Sequence, residues 1–308
     1  MRLVKITALL IILQLAFQVK GQQRPVSSLY MFDPLVINPA YAGTAVQLSA
    51  TIVNRSQWVN VPGAPTTQTL TVHSGFFQSR VGIGLMLTRD IIGIHSDYGV
   101  YGAYSFSLPM PNKATLAMGL MAGMNDLKSD FNLLKLRSMS DPNLTGVLRK
   151  INPNFGAGVY YYTSKFYVGI SVPYLLENKL TTVESVLSEA KQSRNYYMNG
   201  GFQTKLSEEI KMEPNVLVRV QEGAPLGIDL NINFIYKQLL STGISYRSGD
   251  AMIFLFQIAI LDNLHFGYAY DYITSDLNQF SNGSHELMLN YRVKITKWHR
   301  GVECPTYY

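Results

Sequence analysis

The side chains that could do chemistry are few and far apart. Asp271, His285 and Glu286 fall on neighbouring stretches of the chain and could together hold and move a proton. Catalysis would also need a nucleophile with an orienting base, and nothing singles out one serine among many. His73, His95, His265, His285 and His299 stand singly, without the close His/Cys spacing of a metal site. Cys304 is the one cysteine, so an internal disulfide is impossible, and it reads as an ordinary residue of the C-terminal tail. No cofactor is expected. What remains is recognition chemistry. Arg55, Gln57 and Trp58 sit in the run Arg-Ser-Gln-Trp, and Asn38, Pro39, Tyr41 and Gly43 in the run Asn-Pro-Ala-Tyr-Ala-Gly. Arg and Trp are common anchors of protein contacts.

The elements that must position these residues are strands. In residues 44–55, Val46, Leu48, Ala50 and Ile52 share one face while Gln47, Ser49 and Thr51 share the other. Pro62, Gly63 and Pro65 supply a turn. Then Leu70 and Val72 alternate with Thr67, Thr69, Thr71 and His73. The same grammar returns along the chain. Leu226, Ile228, Leu230, Ile232 and Phe234 alternate with Gly227, Asp229, Asn231 and Asn233. Near the end, Leu287, Leu289, Tyr291 and Val293 alternate with Glu286, Asn290, Arg292 and Lys294.

With 47% hydrophobic and only 15% charged residues, the chain is poorer in charge than an average soluble domain at roughly 25%. No mature stretch reaches the ~18 unbroken apolar residues of a membrane helix. Apolar, Tyr-ended strand faces opposite charged ones suit a barrel whose outside meets lipid and whose polar face lines the lumen. About fourteen strands are expected, an even count, as in bacterial outer-membrane barrels. Their boundaries include 113–124 and 154–163, with 125–153 read as a long loop. Odd-numbered connections hold the long segments 125–153, 175–195 and 274–283, whereas even-numbered ones such as Ser164-Lys165 and Asp262-Asn263 are tight. That sorting fits short periplasmic turns and long external loops.

The domain reading follows. Residues 1–21 form a signal peptide: Arg2 and Lys5 precede an apolar core too short for a membrane anchor, and Gly21 marks the cleavage point. Residues 22–43 form a periplasmic strap broken by Pro25, Pro34 and Pro39, residues 44–295 a transmembrane β-barrel, and residues 296–308 a periplasmic tail. Removing Arg2, Lys5 and Lys20 lowers the net charge from +6 to 26 − 3 − 20 = +3, with the basic residues scattered, so nucleic acid is not an expected partner. In a barrel, Arg55 and Trp58 have two readings: a partner contact at the outer rim, or an Arg paired in the lumen beside a girdle Trp. Residues 38–43 read as a partner-binding strap or as a structural entry that plugs or braces the periplasmic mouth. Asp271, His285 and Glu286 read as a polar luminal network. Residues 181–191 have helical spacing and suit an amphipathic turn in an external loop.

Several motifs together carry a family resemblance: Asn38-Pro39-Ala40-Tyr41-Ala42-Gly43, Arg55-Ser56-Gln57-Trp58, Pro62-Gly63-Ala64-Pro65, the run 153–173, Glu213-Pro214-Asn215, Gly267-Tyr268-Ala269-Tyr270-Asp271 and Gly283-Ser284-His285-Glu286. In these the chain resembles the PorP/SprF family of outer-membrane proteins of the type IX secretion system of Bacteroidetes. The resemblance implies a non-enzymatic barrel in the outer membrane that serves secretion and gliding. Its implied partners are other components of that machinery, secreted or surface-anchored cargo, and the lipid bilayer. A passive channel or small-ligand transporter is the alternative. The family pattern is departed from in one respect: about a dozen residues trail the last strand, whereas many barrels end on its aromatic residue.

Overall fold

A computed structural model describes residues 26–44, 48–77, 80–133, 146–178, 192–293 and 304–305. The expected signal segment 1–21, residues 22–25 of the strap, the helical spacing at 181–191 and most of the tail lie outside these residues. Fifteen strand segments form one antiparallel sheet: β1 (Leu48–Ser56), β2 (Thr66–Phe76), β3 (Val81–Ile92), β4 (His95–Met110), β5 (Ala114–Asp130), β6 (Val147–Tyr162), β7 (Phe166–Val172), β8 (Asn195–Phe202), β9 (Thr204–Lys205), β10 (Ile210–Gln221), β11 (Gly227–Tyr236), β12 (Leu240–Arg247), β13 (Ala251–Leu261), β14 (Leu264–Ile273) and β15 (Ser284–Val293). Segment β9 prolongs β8 along the same neighbour, β10. The wall therefore has fourteen positions. Pairing of β1 with β15 and of β10 with β11 closes it into a barrel. Closure gives every strand two neighbours, which lipid requires because it offers backbone groups no hydrogen bonds.

The outward phase of each strand is apolar and open, as at Ile52 in β1, Leu120 in β5, Phe254 in β13 and Leu287 in β15. The opposite phase is buried even where it is polar: Ser49, Thr51 and Arg55 on β1, and Asn231 and Asn233 on β11. Tight connections share one end. At Asn112-Lys113 and Lys237-Gln238 both residues have positive φ, the two-residue hairpin geometry whose twist matches that of the strands. We call this the short-turn end and the opposite one the long-loop end.

One boundary differs from expectation. Residues 125–153 are not all loop: β5 continues to Asp130 and β6 begins at Val147, with Asp126 opposite Ile151 and Asp130 opposite Val147. An Arg149–Asp126 ion pair of 2.5 Å supports this extension. Beyond the lipid the strict apolar/polar alternation loses its cause while the ladder continues, so periodicity stops short of the strand ends.

Candidate functional site

The lumen is filled by the chain's own N-terminal strap. Residues 26–44, part of the segment read from sequence as a strap whose residues 38–43 plug or brace the mouth, run inside the barrel from the long-loop end to the short-turn end, and nearly all are buried. Pro34 and Pro39 keep this segment out of the wall, since proline has no N–H for a ladder. Two single 3-10 turns, Pro34–Val36 and Pro39–Tyr41, each start on proline. Asn38 caps the second: its Oδ1 accepts from the Ala40 N–H at 2.9 Å, while its Nδ2 donates to the Val159 carbonyl at 3.1 Å. One side chain thus shapes the turn and fixes it to β6.

In the short-turn half the strap lies directly on wall glycines. A Cβ on Gly119 of β5 would stand 2.2 Å from the Ala40 nitrogen, and one on Gly82 of β3 would stand 2.0 Å from the Ala42 carbonyl oxygen. Only glycine lets the two backbones approach this closely. Around these seats, Tyr41 packs edge-on against Tyr160, 5.6 Å between ring centres, and against His73 at 5.4 Å. The Ser105 hydroxyl donates to the Ala42 carbonyl at 2.5 Å and the Ser171 hydroxyl to the Ile37 carbonyl at 2.6 Å. Cys304, read from sequence as an ordinary tail residue, is buried here, its Sγ 3.7 Å from the Tyr160 hydroxyl. A small apolar thiol suits a pocket walled by tyrosine rings.

At the long-loop half the contacts are ionic. Arg55 on β1 reaches Glu286 on β15 at 2.8 Å and Asp271 on β14 at 2.6 Å. Ser28 of the strap enters this cluster: its N–H donates to Glu286 at 2.8 Å, and its hydroxyl donates to Asp271 at 3.0 Å while accepting from Arg55 at 2.8 Å. The Ser27 hydroxyl also donates to Glu286. Pairs continue around the wall through Arg247–Asp229 at 2.9 Å and Arg219–Asp229 at 3.0 Å. Three arginines thus face three carboxylates, which keeps the buried cluster close to neutral. Breaking one member of such a pair costs about 3–5 kcal/mol because its partner is left charged and buried.

Between the halves, the strap's Asp33 accepts from the Thr71 hydroxyl at 2.6 Å. Burial pushes its carboxyl up to about 6, against the downward pull of the Thr71 hydroxyl and the Leu35 backbone. Tyr30 donates to Asn215 at 3.0 Å, and Asn215 in turn to Asn231 at 2.9 Å.

The structure sorts the sequence candidates into three places. Asn38, Pro39, Tyr41 and Gly43 stand together in the lumen, and Arg55 stands in the lumen beside Ser28. Gln57 and Trp58 belong to the β1–β2 turn: the Gln57 N–H donates to the Pro65 carbonyl at 2.9 Å, and the Trp58 N–H to the Ser284 hydroxyl at 3.2 Å. His285 is corrected. It faces outward, where it shares a 2.7 Å hydrogen bond with the Tyr268 hydroxyl, because it is out of phase with its neighbour Glu286. Sequence reading missed Ser27, Ser28 and the glycine seats. Their signal was present: Met86, Ala103, Ala117, Met121, Ile253 and Leu255 put apolar side chains on the luminal phase, which a water-filled lumen would not favour. Among the described residues no group of three or more His, Cys, Asp or Glu side chains could hold a metal ion.

A closed fourteen-position barrel with an internal plug defines the class: a membrane protein of the outer-membrane β-barrel fold. Residues 19–291, strap and wall together, match the family described as type IX secretion system membrane protein PorP/SprF, and the chain belongs to that family. No curated protein matches the sequence. Among solved structures, the CymD monoaromatic hydrocarbon channel aligns with a TM-score of 0.51 at 13% identity, over 91% of this chain and 96% of that one. A FadL homologue of Pseudomonas aeruginosa aligns at 0.46 and 10% identity, over 90% and 96%. Omp33 of Acinetobacter baumannii aligns at 0.47 and 11% identity, over 80% and 99%. Such likenesses concern the fold alone.

Proposed function

We propose that this protein works in the outer membrane as a closed, non-enzymatic component of the type IX secretion and gliding machinery, supporting export or surface attachment of cargo through protein contacts. One observation carries the reading: the lumen is occupied by a strap held by hydrogen bonds to a buried ion-pair cluster at one end and by glycine seats at the other. A barrel closed in this way offers its partners two surfaces, the loops outside and the turns with the tail inside. The signal sequence brings the chain across the inner membrane, and the short turns face the periplasm. Asn38, Pro39, Tyr41 and Gly43 act in holding the plug, while Gln57 and Trp58 sit where a partner at the external rim would meet them.

A passive channel is the competing reading, and it needs the strap to leave the lumen. Purified protein in a planar bilayer separates the two. The scaffold reading expects no steady conductance from the wild type, together with loss of cargo secretion and normal small-solute uptake in a deletion strain. Steady wild-type conductance, or normal secretion in the deletion strain, overturns it.

A further inference from the structure

Two neighbouring rows of outward side chains cross β1–β4 toward the long-loop end. Ile52, Leu70, Leu87 and Val100 are successive cross-strand partners and make an apolar row. Two residues nearer the loops, Asn54, Gln68, Arg89 and Tyr98 are partners in the same register and make a polar one. The polar row is bonded from end to end. Gln68 Nε2 donates to Asn54 Oδ1 at 3.1 Å, Arg89 Nη1 donates to Gln68 Oε1 at 3.1 Å, and Arg89 Nε donates to the Tyr98 hydroxyl at 3.3 Å. The guanidinium also lies 5.8 Å from the centre of the Tyr98 ring. Both rows line one shallow depression in the outer wall, about 930 Å³ with the open space before it. Beyond Tyr98 the same row reaches Asp126 of β5, which is taken by Arg149 at 2.5 Å, and Lys128 pairs with Asp130 at 3.4 Å. Among the described residues Arg89 meets no carboxylate, and its Nη2 has no hydrogen-bond partner.

We propose that this depression binds a phosphorylated acyl-glycolipid of the outer leaflet, with its phosphate on the Arg89 guanidinium and its acyl chains against the apolar row. The inference rests on the reading above that the long-loop end faces outward. Three arguments favour this occupant. An arginine on the lipid face is costly at the bilayer midplane and nearly free at the interface, where it reaches charged headgroups. The polar row stands at that level, because the apolar row gives way to it and Tyr98 takes the place of a girdle aromatic. Second, the planar guanidinium matches phosphate geometry, and Gln68 and Tyr98 hold it in position beforehand, so little freedom is lost on binding. Third, the charges are complementary: the neighbouring cations Arg149 and Lys128 have carboxylates of their own, and Arg89 is left for an anion. The site lies beside the β1–β2 turn that carries Gln57 and Trp58.

Native mass spectrometry of the full mature protein in detergent tests this, with monophosphorylated lipid A and its dephosphorylated form as probes. The wild type is expected to retain one phosphorylated lipid and to hold the dephosphorylated form severalfold less well. Arg89→Gln is expected to lower retention severalfold, Arg89→Lys to keep part of it, and Lys128→Gln to leave it unchanged. None of these side chains touches the plug, so each variant is expected to run as a folded barrel on unheated gels. Equal retention by folded Arg89→Gln, or equal binding of both probes, overturns the assignment. Phosphatidylglycerol held as tightly as the phosphorylated lipid A also overturns it, because any anionic lipid would then serve. Orientation is checked separately: Asn60→Cys in a Cys304→Ser background is expected to react with an impermeant maleimide on intact cells. Labelling only after lysis overturns the outward long-loop end, and the source of the lipid with it. A barrel silent in the bilayer that retains no phosphorylated lipid leaves the closed-plug reading standing and sinks this one.

Discussion

The two halves of the plug are held by opposite means. Toward the long loops, charged side chains of β1, β12, β14 and β15 grip residues 27–29, whereas toward the short turns β3–β7 grip residues 37–43 with glycines, tyrosine rings and hydroxyls. The ionic half depends on every partner being present, because a single missing charge strands its neighbours in a low-dielectric interior. The packed half depends on shape, so it fails when atoms are added. One half is sensitive to deletion and the other to insertion.

That contrast can be broken from either side. The largest expected effect is Arg55→Ala, which leaves Asp271 and Glu286 buried without their shared cation. A loss of about 3–5 kcal/mol is expected, read as a lower unfolding midpoint in detergent and as bilayer conductance from a loosened strap. Changing all three residues together to apolar ones should cost much less than the single change, and an equal or larger cost would refute the ionic account. Next comes Gly119→Val, where the added side chain meets the Ala40 backbone. About 1–3 kcal/mol is expected, with conductance comparable to that of a strap deletion. Asn38→Ala removes a cap and a link to β6 and should cost about 1–2 kcal/mol without opening the pore.

The smallest effect concerns pH. The Asp33 carboxyl sits higher folded than its ordinary value of 3.8, at about 6, so burial favours the neutral form and stability falls as pH rises from about 4 through 6. Asp33→Asn should flatten that slope in unfolding midpoints measured between pH 4 and pH 8. A wild type whose midpoint rises over the same interval would contradict the assignment.

How much of this was legible in sequence follows from what each residue answers to. Ile52, Leu230 and Leu289 answer to lipid, a uniform demand repeated every second residue, so all fourteen wall positions could be read from alternation. The outer part of the β5–β6 hairpin answers to water on both faces and lost that signal. The strap answers to specific neighbours far away in sequence: Ala40 to Gly119, Ser28 to Glu286. Pro39 and Gly43 showed that the segment was neither helix nor strand, but not which space it would fill. Cys304 was misread for the same reason, since its pocket is built by Tyr160 and other residues more than a hundred positions away.

Arg55 and Glu286 are also direct partners across the junction of β1 and β15, the first and last strands. That junction is the seam at which a linear chain becomes a ring, and the group bridging it from inside is Ser28. Sealing the ring and seating the strap therefore stabilise one another. A chain that zips its last strand to its first without Ser27 and Ser28 in place must bury Arg55, Asp271 and Glu286 incompletely satisfied. The seam is thus fully satisfied only when the ring is closed around its own N-terminal segment.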